Sequence, residues 1–316
     1  MKRFILGFLG AVIFIGSFCI FADNSNSEVS VLMLYWRGKT KCSEGFKSGL
    51  KDLNVKYTEF NAKMNEEALT SYLDSVSGKK FDLVYAFGTT VAKTASQKMP
   101  KTPVLAGIVA DPVAAGLIKS WKSSGNNITA VSHLASFSDQ VNFITKLGKF
   151  KKAAMIFNPR EENSVAAVPI LGRLFSARSI EFPTFAVNNQ EKIDKAIEIM
   201  KKIKIDIVYL PSDSYIIENA GRIIPKLTQN GILSYGSVKV LIDKGAAIGI
   251  VSSYFKVGEA LSVKAKKILK GASPSSIPSF RLPLKDQTVM YNAKTVAELK
   301  YIIPESVKKK AVPAGQ

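Results

Sequence analysis

The strand candidates in this chain are unbroken apolar runs, and that constrains its fold more than any other feature. VSVLMLY (29–35), FDLVYAF (81–87) and TPVLAGIV (102–109) show no alternation of polar and apolar residues. A strand wetted on one side alternates; a run that is apolar throughout suits a parallel sheet covered by helices on both faces. Amphipathic helical patterns fall between the runs, at Glu44–Leu53, Glu66–Val76 and Val91–Gln97, with another helix expected from Val113. Strands at Val55–Asn61 and Ile128–Ser132 complete a first βαβ set. A second set follows. Helix Phe137–Leu147 opens on the capping-box pair Ser136 and Asp139. Strands are expected at Lys152–Phe157, Phe182–Val187, Ile205–Leu210, Ile232–Tyr235 and Ala247–Val251. Helices are expected at Glu161–Ala177, Lys192–Lys202 (capped by Asn188 and Glu191), Tyr215–Leu227 and Val238–Asp243. Repeated βαβ units of this length predict an α/β protein of two doubly wound parallel-sheet lobes.

No Gly/Ser-rich linker separates the sets, so the lobes should meet at a compact, multi-strand hinge. A first crossing is expected near Val131–Ser136. After a long helix, Tyr254–Leu269, come the extended segments Phe280–Leu284 and Thr288–Asn292 and a last helix near Thr295–Tyr301. That tail is too short for a third domain and must finish the two lobes already made. The expected division is 23–132 plus about 252–279 for the first lobe, and 133–251 plus about 280–316 for the second.

Residues 1–22 read as a secretory signal peptide. Lys2 and Arg3 precede an uncharged apolar stretch, Phe4–Phe21, and Ala22 is a suitable last residue before cleavage. An uncleaved anchor, or a lipidated Cys19, is the alternative. With Cys19 removed, Cys42 is alone and no internal disulfide can form. The net charge of +19 is spread over helix faces without interleaved stacking aromatics, so nucleic acid is not an expected partner. Enzyme signatures are missing as well. The single histidine, His133, rules out a two-histidine metal site. There is no G-x-S-x-G elbow and no Walker A loop. Cys42 with His133, or Asp111 with Asp213, could be paired only across distant segments. No catalytic residue, metal or cofactor is assigned.

In open parallel sheets, ligands bind beyond the carboxyl ends of the strands. Here those ends carry Trp36, Gly88-Thr89-Thr90, Asp111, Ser132-His133, Asn158 with Asn163-Ser164, Ser212-Asp213-Ser214-Tyr215, and Ser237. Hydroxyls, amides and carboxylates at helix starts are often only caps. Their occurrence on both lobes suits a small polar molecule held between two rims.

Several ordered segments carry a resemblance. TPVLAGIVADPVAAGLI (102–118), NNITAVS (126–132), FNPREENS (157–164), IVYLPSDS (207–214), GAAIGIVSSYFKVGEAL (245–261), ILKGASPSSIP (268–278) and VMYNAKTVAELKYIIP (289–304) resemble the ABC-transporter substrate-binding family that includes tryptophan and other aromatic amino-acid binders. The resemblance implies a type I periplasmic-binding-protein fold and a ligand cleft between the lobes. It also implies a partner permease and ATPase, and a periplasmic location. The implied ligand is a small polar solute, an amino acid first and an aromatic one among these. A binding protein that reports to a signalling receptor is the alternative, since the same fold serves both roles. His133 stands where amino-acid binders of this family commonly carry Asp. The first loop adds Arg37, Lys39 and Lys41. Both departures point toward a more anionic or differently shaped ligand.

Overall fold

A computed structural model describes residues 28–315; the expected signal segment and Cys19 lie outside the described residues. The first sheet grows from β1 (Val29–Tyr35), α1 (Lys41–Gly49), β2 (Val55–Asn61), α2 (Glu66–Ser75), β3 (Leu83–Phe87), α3 (Thr89–Lys98), β4 (Val104–Val109) and β5 (Ile128–Ser132). The second unit comprises α4 (Phe137–Leu147), β6 (Ala153–Phe157), α5 (Glu162–Ser176), β7 (Thr184–Ala186), α6 (Gln190–Lys202), β8 (Ile207–Leu210), α7 (Ser214–Glu218), α8 (Ala220–Gln229), β9 (Leu233–Gly236), α9 (Lys239–Asp243) and β10 (Ile248–Ser252). The chain then returns through α10 (Tyr254–Leu269) and β11 (Phe280–Arg281), and finishes with β12 (Gln287–Tyr291), α11 (Ala293–Glu298), α12 (Glu305–Lys308) and β13 (Ala311–Pro313).

The strand orders are β11-β5-β4-β3-β1-β2 and β13-β12-β10-β9-β8-β6-β7. The first sheet is parallel throughout. The second is parallel except where β12 runs antiparallel to β10. The continuous apolar runs therefore do what their pattern demands: β3, β4 and β5 are buried at every position. One face of the first sheet packs Leu32, Leu34, Val84 and Ala86 under α2 and α3. The other packs Val31, Met33, Tyr85 and Leu105 under α1 and α10. The second lobe has a single large core.

Helix α10 reaches the first sheet by lying against α1 at two glycines. A Cβ at Gly45 would sit 2.1 Å from the Phe255 carbonyl oxygen, and one at Gly258 2.0 Å from that of Cys42. Only hydrogen fits at either place.

Local chemistry moves several expected boundaries. Helix α1 starts earlier, because Thr40 and Ser43 form a capping box ahead of Glu44. Asn189, not Asn188, caps α6 by accepting from the Lys192 N–H. No helix begins at Val113. The Asp111 carboxylate accepts from the N–H groups of Val113 and Ala114 and closes a turn instead. The helix expected over Tyr215–Leu227 breaks at Asn219, which ends α7 and starts α8. Strand β11 pairs with β5 of the first sheet, so the last crossing falls after Arg281 and not at about residue 279. Strand β13 had no sequence signal.

Candidate functional site

The ends of β1, β3 and β4 in the first sheet and of β6 and β8 in the second lead to one space between the lobes. On the first lobe, Gly88 has φ 101° and ψ 161°, a region essentially closed to residues with a side chain. Its N–H donates to the Gly107 carbonyl at 3.0 Å. This turn aims the start of α3 at the other lobe. No side chain caps α3, so its first-turn N–H groups are left for an outside acceptor. Beside it, a bulge between Gly107 and Val109 holds Ile108 at φ 57°. A β-branched residue there is strained, and such strain gathers at ligand clamps.

On the second lobe, Asp213 is fully buried. Its carboxylate accepts from the Asn158 N–H at 2.8 Å, the Ser164 hydroxyl at 2.8 Å and the Ile216 N–H at 3.0 Å. One side chain thus staples the β6–α5 loop to the start of α7. Next to it, both oxygens of Glu161 accept from the Ser214 N–H, at 2.8 and 3.0 Å. Asn163 donates its amide to the Ser212 carbonyl at 2.9 Å. Burial, and then the neighbouring Asp213, push Glu161 up to about 7. Asp213, with its three donors, is the better stabilised carboxylate of the two.

These rims enclose a cavity of about 30 Å³, lined by Trp36, Arg37, Phe87, Gly88, Thr89, Thr90 and Ile108 from the first lobe and by Glu161, Asn163, Ser212 and Ser214 from the second. A space this size holds little more than a water molecule, so the lobes must part for anything larger to enter. Bonds between the lobes run from Arg37 Nη1 to Ser214 Oγ at 3.5 Å, and from Lys93 to Glu162 at 2.5 Å. Arg37 also lies over the Phe87 ring at 5.9 Å.

Seven of the expected residues line this cavity: Trp36, Gly88, Thr89, Thr90, Asn163, Ser212 and Ser214. Asp213, Asn158 and Ser164 stand behind the wall in the staple just described. Asp111 and Ser132 are engaged at the hinge. Arg281 pairs with Asp111 at 2.5 Å and donates to the Ala110 carbonyl and to Ser132 Oγ, with its guanidinium over the Trp121 ring. Tyr215 packs against the second-lobe core, and Ser237 is buried away from the cavity. His133, 1% exposed, sits at the crossing with Nε2 2.9 Å from Ser212 Oγ. Burial, then the Arg37 charge, hold its imidazole down at about 3, so it is neutral. Cys42 is buried under α10, and burial pushes its thiol up to about 12. It is no nucleophile.

Glu161, Phe87 and Ile108 line the cavity and Arg281 braces the hinge without having stood out by residue type in the sequence. Glu161 lies within FNPREENS, at the start of the helix expected over Glu161–Ala177. Its carboxylate finds its partner in the Ser214 N–H, more than fifty residues away.

The sequence pattern of the family described as ABC transporter substrate binding protein matches residues 29–314. The chain belongs to that family. It is 27% identical, over 82% of this chain and 76% of the relative, to a tyrosine-binding protein of Clostridioides difficile. Its fold matches a domain from Streptococcus pneumoniae crystallised with L-Trp, at TM-score 0.82 and 23% identity, covering 91% of this chain and 99% of that one. A ligand-free, open substrate-binding protein from Clostridium difficile matches at TM-score 0.69 and 23% identity over 91% and 99% of the two chains. The fold is of the type I periplasmic-binding-protein kind. Members of this family are solute-binding proteins, not enzymes, and are generally extracytoplasmic.

Proposed function

We propose that this protein is the exported solute-binding component of an ABC importer. Its ligand is a free amino acid, aromatic ones first, held in the cleft between the lobes and delivered to a permease driven by its ATPase. The observation that carries this reading is that Arg37 and Glu161 line one cavity from opposite lobes. A zwitterion needs a cation for its carboxylate and an anion for its ammonium. Arg37, with the uncapped start of α3, supplies the first; Glu161, with the Ser212 and Ser214 hydroxyls, supplies the second. Trp36 and Phe87 offer ring faces to an aromatic side chain. The negative charge expected at position 133 is thus supplied instead by Glu161 of the second lobe, and an amino acid stays admissible. Because each charge belongs to a different lobe, bound ligand favours the closed form, and its preference for that form sets how far closure goes. The tyrosine-binding relative and the L-Trp-bound neighbour agree in ligand class with this reading.

Isothermal titration of the chain from Asp23 onward with L-Trp, L-Tyr and L-Phe tests it. At least one should bind with 1:1 stoichiometry. Arg37→Gln should weaken that ligand about 10- to 100-fold, the loss of a charge-assisted hydrogen bond. Equal affinity for the corresponding amine, which lacks the carboxylate, would remove Arg37 from its role. Failure of every amino acid to bind would end the proposal.

A further inference from the structure

Arg37 has a second face. On the side of the cleft toward α1 and α10 it lines another cavity, of about 630 Å³, within the range typical of small-molecule sites. Its walls are apolar: Ile217 of α7, Val240 of α9, Val251 of β10, Phe255 of α10 and Met290 of β12. Like the polar cavity it draws on both lobes. Three cations border it, Arg37, Lys41 and Lys239, against one carboxylate, Asp243. That carboxylate is already paired with Lys239 at 2.7 Å and Lys41 with Glu44 at 2.8 Å, which leaves Arg37 as the border cation without an ion-pair partner among the described residues. Two of the lining residues, Ser252 and Tyr254, have buried hydroxyls with no hydrogen-bond partner among the described residues, and Ser252 is only 5% exposed.

We propose that this cavity is a second binding site, for an apolar monoanion: an aromatic or aliphatic body carrying one carboxylate or sulfonate. The walls take the body, since burying hydrocarbon is what such a surface does best. Arg37, the border cation without a carboxylate partner, takes the head. A ligand there touches both lobes and shares Arg37 with the polar cleft, so the two sites are coupled through that side chain. Arg37 is the one group this site has in common with those proposed to hold the zwitterion.

The test uses 8-anilinonaphthalene-1-sulfonate and its neutral analogue N-phenyl-1-naphthylamine on the folded chain from Asp23 onward, with no amino acid present. The sulfonate should bind at one site per chain, with enhanced, blue-shifted emission and a raised melting temperature. The neutral compound should bind at least 10-fold more weakly. Decanoate should displace the sulfonate. Thr288→Trp, at an exposed strand position on the cavity wall, should fill the space and abolish binding while circular dichroism stays native. Val240→Trp is the second filling variant, should the first fold poorly. Lys41→Glu should weaken the sulfonate about 5-fold or more without affecting the neutral analogue. Absence of sulfonate binding by the wild type, or undiminished binding by a folded filling variant, overturns the site. Equal binding of the neutral analogue overturns its choice of an anion. Amino-acid titration of Thr288→Trp keeps the two readings apart, since that variant should retain any affinity held by the polar cleft.

Discussion

Glu161 and His133 are buried within reach of the same arginine, and burial drives both toward neutrality. For the acid that means an elevated titration, to about 7 from an ordinary 4.5; for the imidazole a depressed one, to about 3 from 6.5. The consequences for stability have opposite signs. Between about pH 4.5 and 7 the folded chain holds the Glu161 proton more tightly than the unfolded chain, so this residue's contribution declines as pH rises. Between about pH 3 and 6.5 the unfolded chain binds the His133 proton more tightly, so that contribution grows as pH rises. The two oppose each other from 4.5 to 6.5, and only single variants separate them. Melting temperatures measured from pH 4 to 8 should climb more steeply in Glu161→Gln than in the wild type, and should climb less in His133→Gln. A bound ammonium group would favour the Glu161 anion, so amino-acid binding near pH 6.5 should release protons. Titration in buffers of different ionisation enthalpy reads that release, and Glu161→Gln should lose it. At this scale the sequence disclosed the rim residues it could recognise by type: Trp36, Gly88-Thr89-Thr90, Asn163, Ser212 and Ser214. It could not show which carboxylates turn inward. Asp111 and Asp213 look alike in sequence, yet one is tied to Arg281 and a turn while the other staples a loop.

Among the elements, α1 and α10 depend most on what is missing from their side chains. Gly258→Ala places a methyl group against the Cys42 carbonyl, where backbone rather than a flexible side chain must yield. It should cost about 2–3 kcal/mol, the upper part of the usual overpacking range. Gly78→Ala, with nothing within 4 Å of the new methyl, should melt like the wild type in the same scan. The strands were readable because burial on both faces leaves an unmistakable run, and the long helices because their apolar positions recur with the helical period. What escaped notice was decided by single side chains competing for backbone N–H groups. Asp111 closes a turn where Val113 promised a helix, and Asn219 splits one helix into two. Strand β13 pairs with β12, and three residues are too few to announce themselves.

Over the whole molecule, closure rests on few contacts. Lys93 of α3 meets Glu162 of α5 across the cleft mouth, both about half exposed. Such a pair contributes up to about 1 kcal/mol and is screened by salt. Even so, 1 kcal/mol moves a two-state equilibrium about 5-fold. Small-angle scattering should therefore report a larger radius of gyration for Lys93→Glu than for the wild type, with the difference shrinking as salt is raised. That the chain passes between lobes more than once was legible from its short tail. The exact place of the last passage was not, because two residues of β11 decide it by pairing with β5. Three crossings also bear on inheritance. Neither sheet is encoded by one uninterrupted stretch, since the first takes Phe280–Arg281 from beyond the second's β10. A single recombination breakpoint between related genes cannot exchange one lobe for another intact. Graftable ligand specificity in this architecture has to be moved as loops, or with three junctions cut together.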